Sequence, residues 1–515
     1  MALPSTTVWE VETGGNDSNG GGFDSALVGT DYSLQGGYRV YIDNASIAAT
    51  LAASTITFTT LSITGSTAQN PAKFTVAAAP PLGTPVTISG YTGNWAACNG
   101  NFTATYVDST HFTIPVDSSA FGAAAGTPVY QYNAQATDRG NIVNILTGGA
   151  GLTVGRYSIA SVVAGTSWTT NATTGAASAA MTGYMGGALL TPGVAASLFA
   201  NYHTLYIKPG TYPITSATPN IAGGTISISA SRGAVIGYST NRTAFNTDTK
   251  PYLVLSAGVS SATIINNSNI PIFNLSLDGA NQTTSKGIVG WGISCLFANF
   301  TSLACGQALG CEFTGCSGVC ASGAYYSVFH GNSLTCSNGT VICCIAYGNT
   351  STPFVGNIGA VHLNSVSYNN SGASTDGFQA ASSQCPILTI NCIAEGNTRY
   401  GFNNANTNNP GNILINCSAY GNGTPTNGFV AGSAIGLLTP LSSVFVSAAT
   451  QDFRLSPTTG AALISAGYPT TWPATAAAML NYLDIGAAQI LYTPIVINQT
   501  INRFIVPEGE EPNAT

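Results

Sequence analysis

Four short segments of this chain can be laid over one another almost letter for letter: CCIAYGN (343–349), NSVSYNN (364–370), NCIAEGN (391–397) and NCSAYGN (416–422). Taking the second residue of each as a mark gives Cys344, Ser365, Cys392 and Cys417, and the pattern extends upstream through Ser327, Cys311, Cys295 and Leu275. Successive marks stand 20, 16, 16, 17, 21, 27 and 25 residues apart. A unit of about 20 residues with variable insertions is the signature of a solenoid, in which each repeat packs only on its neighbours.

The columns of the alignment narrow the choice. Two residues before the mark stand Phe273, Ile293, Leu309, Tyr325, Ile342, Leu363, Ile390 and Ile415. Two residues after it stand Leu277, Phe297, Phe313, Phe329, Ala346, Ser367, Ala394 and Ala419. Together with the mark these columns follow the period of two that defines one face of a strand, and being apolar or small they are expected to point inward. Cys295, Cys311, Cys344, Cys392 and Cys417 would then be small hydrophobes in a stack. Five past the mark come Asn332, Asn349, Asn370, Asn397 and Asn422, which can pass amide hydrogen bonds from rung to rung. The regularly spaced leucines of a leucine-rich repeat are missing, so the columns predict a parallel β-helix.

The outward columns carry a second expectation. One past the mark come Val328, Ile345, Val366 and Ile393, and three past it His330, Tyr347, Tyr368, Glu395 and Tyr420. On one outer sheet face these make an apolar and aromatic stripe of a kind that monomers rarely leave wet. It reads as an interface with other copies or with the N-terminal region, or as a platform for sugars stacked on the tyrosines. A register error of one residue would exchange inside and outside.

Composition supports a β-protein. Only 6% of the 515 residues are charged, and 60 are Gly, while 44% are hydrophobic, enough for a large core. A net charge of −7 argues against nucleic acid as a partner. Met1–Gly15 has neither a basic n-region nor an apolar h-region, and no apolar run reaches the length of a membrane span. The expectation is synthesis in a cytosol without a signal peptide, no membrane partner, and reduced cysteines.

The N-C-x-A-x-G-N rungs, with Gly377-Phe378, Gly401-Phe402 and Gly428-Phe429 after them, resemble right-handed parallel β-helix proteins of the pectate-lyase-like superfamily. LYIKPGTY (205–212) looks like the first rung of such helices, and DFRLSPTTGAALISAG…LDIGAAQ (452–489) resembles their closing segment, without its internal Asp. VWEVETGGNDSNGGGFDSALVGTDYS (8–33) is similar to the opening of tailed-phage and metagenomic β-helix proteins. VTISGYTGNWAACNGNFTATYVDSTHFTIPV (86–116) resembles the small β-barrel-like FCCH module, here a spacer inserted at 68–128.

The resemblance implies an all-β chain: an N-terminal β-rich attachment domain (1–67 and 129–200) split by the module, a right-handed parallel β-helix (201–455), a closing segment (456–490), and a C-terminal strand with an acidic tail (491–515). Catalytic members of such folds cut polysaccharides with paired carboxylates, or with metal-binding acids and an Arg base. Between 251 and 450 the only acids are Asp278, Glu312, Asp376 and Glu395, and Arg399 is the sole Arg. Asp376, Glu395 and Arg399, one rung apart, are the weak catalytic candidates. No metal or cofactor is implied.

The reading that follows is a virion structural protein of phage type: a head fibre, capsid decoration or tail-spike-like appendage on the virion surface, extracellular after lysis. It would form a homotrimer, meet other virion proteins through its N-terminal domain and present a surface to cell-surface polysaccharide. The alternatives are a polysaccharide-degrading tail spike and a bacterial surface adhesin.

Overall fold

The structure, a computed structural model, describes residues 3–148, 153–172, 179–242, 249–267, 270–357, 359–381, 386–406 and 411–464. The proposed closing segment beyond 464 and the C-terminal strand and tail lie outside the described residues. The chain divides into two compact units, Met1–Lys208 and Pro209 onward. The division falls later than the expected boundary at 200. Strand Thr204–Ile207 pairs in parallel with Thr7–Val11, and Lys208 Nζ reaches Glu12 Oε2 at 2.6 Å, so LYIK belongs to the first unit.

The first unit is antiparallel. Strands such as Thr55–Thr59 (TITFT) alternate, with Ile56 and Phe58 buried between outward threonines. An eight-stranded sheet is built from residues 40–59 on one side of the chain and 142–185 on the other. Its core gathers Ile42, Leu51, Phe58, Tyr157, Trp168 and Met185. Between those two stretches, strands at 61–62, 85–92, 100–103 and 125–132 form one four-stranded sheet, and 65–67, 72–75, 105–108 and 111–114 form another. The two enclose a separate core of Phe74, Ile88, Trp95, Phe112 and Tyr130. This inner module therefore runs from 61 to 132, wider than 68–128, because the strands at its two ends, 61–62 and 125–132, pair with each other.

The second unit is a parallel β-helix. Its leading sheet runs through Ile272–Phe273, Lys286–Ile293, Cys305–Leu309, Ala321–Tyr325, Val341–Ile342, Val361–Leu363, Leu388–Ile390, Ile413–Ile415 and Ala434–Ile435, each paired in parallel with the next. The trailing sheet stacks Ser276–Asp278, Leu296–Ala298, Glu312–Thr314, Val328–His330, Ile345–Tyr347, Val366–Tyr368, Ile393–Glu395 and Ser418–Tyr420 in the same way. A third sheet joins Phe354–Gly356, Phe378–Ala380, Tyr400–Asn404 and Thr424–Asn427.

One residue per rung turns the chain from the leading sheet into the trailing one. Asn274, Ser294, Gly310, Tyr326, Cys343, Asn364, Asn391 and Asn416 all have φ between 47° and 61°. Asn and Gly enter this left-handed region readily, whereas Ser294, Tyr326 and Cys343 do so at about 1 kcal/mol each. The offset is a second hydrogen-bond column: each corner N–H donates to the residue two before the mark on the next rung, as from Asn364 to Ile390 O at 3.0 Å.

The corner corrects the inward assignment of one column. Period-two counting holds only through extended backbone, and the left-handed residue shifts its phase. The residues three before the mark, including Ile272, Ala308, Ala324, Val341 and Leu414, are buried, and those two before it, Phe273 through Ile415, are half-exposed on the outside. The mark and the column two past it do point inward: Cys295, Cys311, Cys344, Cys392 and Cys417 are buried, and Phe297, Phe313 and Phe329 stack at 4.8 Å with 8° between planes. All eleven described cysteines are buried free thiols.

The asparagine column closes the interior on another side. Asn332 Nδ2 donates to Asn349 Oδ1 at 3.1 Å, Asn349 to Asn370 at 2.9 Å, Asn370 to Asn397 at 2.8 Å and Asn397 to Asn422 at 2.9 Å. Backbone N–H groups of Asn332, Asn349 and Asn397 add further bonds to the same oxygens. The glycines of two of the Gly-Phe pairs, Gly377 and Gly401, are explained here. A Cβ on Gly401 would stand 2.9 Å from Asn422 Nδ2 and 2.7 Å from Pro425 O, so the strand can approach the ladder only without one.

Candidate functional site

The three chemical candidates are held in two separate settings. Asp376 precedes strand Phe378–Ala380 of the third sheet and is 0% exposed. Arg399 grips it in a fork, Nε to Oδ1 at 2.7 Å and Nη2 to Oδ2 at 2.7 Å, and Asn403 Nδ2 donates to Oδ2 at 2.6 Å. This is the strong bidentate geometry of a guanidinium–carboxylate pair. The bond to Asp376 pushes the Arg399 pKa further up, so this guanidinium is a poor base. Arg399 also lies over the Tyr400 ring at 5.0 Å.

Glu395 points away from that pair. It leaves the outer face of the trailing sheet, buried, and accepts from Val444 N at 3.3 Å. Burial pushes its pKa up, against the lowering effect of donors at Ser443 and Val444. Asp376 and Glu395 therefore serve different partners on different faces and do not assemble an acid–base pair.

The Val444 contact leads to the fate of the outward stripe. Strands Phe445–Ser447 and Asp452–Leu455 form an antiparallel hairpin laid over the trailing sheet. Val444, Phe445, Phe453 and Leu463 pack on Ile345, Val366 and Ile393, with Val366 at 0% and Ile393 at 1% exposure. Tyr347 meets Phe453 at 5.5 Å, and Tyr368 meets Phe445 edge-on at 6.1 Å and Phe453 at 5.5 Å. The stripe expected as a binding surface or an interface between copies is roofed by the chain's own hairpin. The repeat does not announce this because the hairpin has no rung pattern; its second strand is the DFRL with which the resemblance to a closing segment begins.

Outside the roof, Val328 is half-exposed, His330 stacks on Tyr347 at 5.3 Å and bonds Glu312 Oε1 at 2.9 Å, and Tyr420 is half-exposed. His330 lowers the Glu312 pKa.

Among the described residues, a second apolar surface, partly exposed, lies on the leading sheet. Its outer columns combine Phe273, Ile293, Leu309, Tyr325, Ile342, Leu363, Ile390, Ile415 and Ile435 with Trp291, Val361, Leu388 and Ile413. Trp291 is 44% and Ile435 54% exposed. An extra residue in strand 286–293, between Ile288 and Trp291, breaks the pairing register there, and Trp291 stacks on Tyr325 at 6.1 Å and 20°.

In the first unit a cleft of about 340 Å³ is lined by Ser5, Thr6, Thr7, Val8, Ser25, Tyr202 and Thr204. Its lining holds hydroxyls but no acid, His or Cys. Among the described residues no group of three or more His, Cys, Asp or Glu side chains could hold a metal ion, and no helix is long and apolar enough to cross a membrane.

The strand pairing defines the class: a parallel β-helix preceded by an antiparallel unit. No protein-family model matches the chain, and no curated protein matches it. Among solved structures it is similar to pectate lyase Pel9A, at 17% identity over 58% of this chain and 91% of that one, with a TM-score of 0.32. It is also similar to the A-module of the Azotobacter vinelandii mannuronan C-5 epimerase AlgE6, at 14% identity over 47% and 91%, TM-score 0.23. A third is ORF18 of Geobacillus virus E2, at 13% identity over 46% and 52%, TM-score 0.24. Likeness at this level carries no chemistry across, and the fold rests on the strand ladders themselves.

Proposed function

We propose that this chain is a structural protein of phage type, a β-helix whose rungs form a stiff support and whose loops meet cell-surface polysaccharide. In this reading the antiparallel unit attaches to other virion proteins, and the 61–132 module is an FCCH-like spacer. The observation that supports a structural role is the use made of the acids. Asp376 is neutralised by Arg399 and Asn403, and Glu395 anchors the hairpin. A carboxylate at 0% exposure and held by three donors is out of reach of a sugar's proton.

The test is incubation of the purified chain with capsular and exopolysaccharides, scoring both reducing ends and unsaturated uronates, beside mass spectrometry of purified phage particles. Retention of intact polysaccharide by the chain, and its presence in particles, are expected. Product release that disappears in Asp376→Asn would replace this reading with the degrading spike.

A further inference from the structure

We propose that the open face of the leading sheet is the surface through which this chain joins a second copy of itself. The inference is independent of whether the protein belongs to a virion; it rests on the composition, repeat and size of one face.

The face is built as a sheet exterior but has the composition of an interior. From Phe273 to Ile435 nine successive rungs place an apolar side chain in the same outward column, and the neighbouring column, interrupted by Gln307, Gly323 and Thr340, adds Trp291, Val361, Leu388 and Ile413. Neither column contains a charged residue. Contiguous apolar surface of this extent marks a contact site, since a soluble monomer keeps such patches small.

The chemistry selects the partner. A nucleic acid or an acidic chain needs cations, which the face lacks. A glycan needs a run of flat rings with donors beside them, and only Trp291, Tyr325 and Phe273 supply rings among a majority of branched aliphatic side chains. What suits the face is another row of aliphatic side chains with the same spacing. Rungs repeat every ~4.8 Å, so ridges of one copy fit the grooves of another along their whole length. A second copy has that repeat by construction, and a two-fold contact uses the same patch on both sides.

The size is sufficient. Eight rung spacings give a length of about 38 Å, and two columns with their side chains are about 14 Å wide, on the order of 500 Å² per copy. Two copies then remove roughly 1,000 Å², the lower limit for a specific contact and in the range of weak, concentration-dependent association. The roofed stripe shows the alternative solution within the same unit, where Phe445 and Phe453 cover the neighbouring face.

The experiment is sedimentation of the full chain from submicromolar to tens of micromolar, beside the double variant Ile342→Lys/Ile390→Lys and the control Val107→Lys, whose side chain is exposed on the inserted module. Both lysines leave the core untouched, and an unchanged far-UV spectrum and melting temperature verify the fold. The expected result is a self-associating chain whose dissociation constant rises at least a hundredfold in the double variant and stays unchanged in the control. A chain that is monomeric throughout overturns the proposal. So does association that the two lysines leave intact, because the contact then lies elsewhere. A monomer whose fluorescence responds to oligosaccharide, with the response lost in Trp291→Phe, overturns it in favour of a sugar.

Discussion

The two outer faces that meet at the left-handed corner are similarly apolar and end differently. On the trailing side Ile345, Val366 and Ile393 lie under a hairpin that contributes Phe445 and Phe453. On the leading side Ile342, Leu363 and Ile390, two residues before the same marks, stay half-exposed. The difference is not in the rungs, which supply aliphatic side chains to both. It comes from a segment outside the repeat, which fills one face only. A solenoid makes apolar exteriors by repetition, and non-repeating sequence decides which of them is finished within the chain.

The contrast can be broken most directly at the roof. Phe453→Ala should cost about 3 kcal/mol in a urea titration and increase binding of an apolar dye, whereas Ile342→Ala on the open face should cost about 1 kcal/mol or less at submicromolar chain concentration. Comparable losses at both positions would mean that the open face is also covered.

A second test asks what the two faces share. His362 points inward from the strand whose outward residues line the open face, and its buried Nε2 has no hydrogen-bond partner. Burial lowers its pKa to about 4. The unfolded imidazole takes a proton as pH falls through about 6.5 while the folded one refuses it. Stability is therefore full above that pH and drops by about 3 kcal/mol on acidification to pH 4. His362→Leu should flatten this slope for the whole helix, roofed and open sides alike. An unchanged slope in the variant would place the loss at other groups.

The smallest effect belongs to the roof alone. The Glu395 pKa is raised, so the folded hairpin holds a proton there more tightly than the unfolded chain does. The hairpin should be firmest below the ordinary, unfolded carboxyl pKa and loosen as pH rises from there through the raised folded one. Glu395→Gln should remove the pH dependence of hydrogen exchange at residues 444–455, after correction for intrinsic rates, without altering exchange in the leading sheet. Retention of the dependence would mean that another group governs the hairpin.

Much of the β-helix was legible because pairing is local to the repeat. The segments spelled N-C-x-A-x-G-N are the strands that hydrogen-bond to one another, and the stacking of Asn349 on Asn370 could be read from their shared offset. The phase across the corner is only partly signalled: Asn274, Gly310, Asn364, Asn391 and Asn416 favour a left-handed backbone, whereas Ser294, Tyr326 and Cys343 carry no such signature and break the column. Counting by two therefore placed Ile342 and Ile390 on the wrong side. The candidate site failed for a different reason. Spacing puts Asp376 and Glu395 one rung apart, but that Asp376 is gripped by Arg399 and Asn403 while Glu395 turns to the hairpin depends on burial and on partners that no spacing announces.

The asparagine column has a sense as well as a length. Every side-chain oxygen in it accepts from the rung before, beginning with Cys316 N on Asn332, and every amide also donates back to a carbonyl of that rung, as Asn422 does to Ala394 O. The amide dipoles are thus aligned along the stack and polarise one another in a single direction. Their two ends are electrically unlike, so the helix interior has a head and a tail even where its sequence repeats. A rung could be added to it facing one way only.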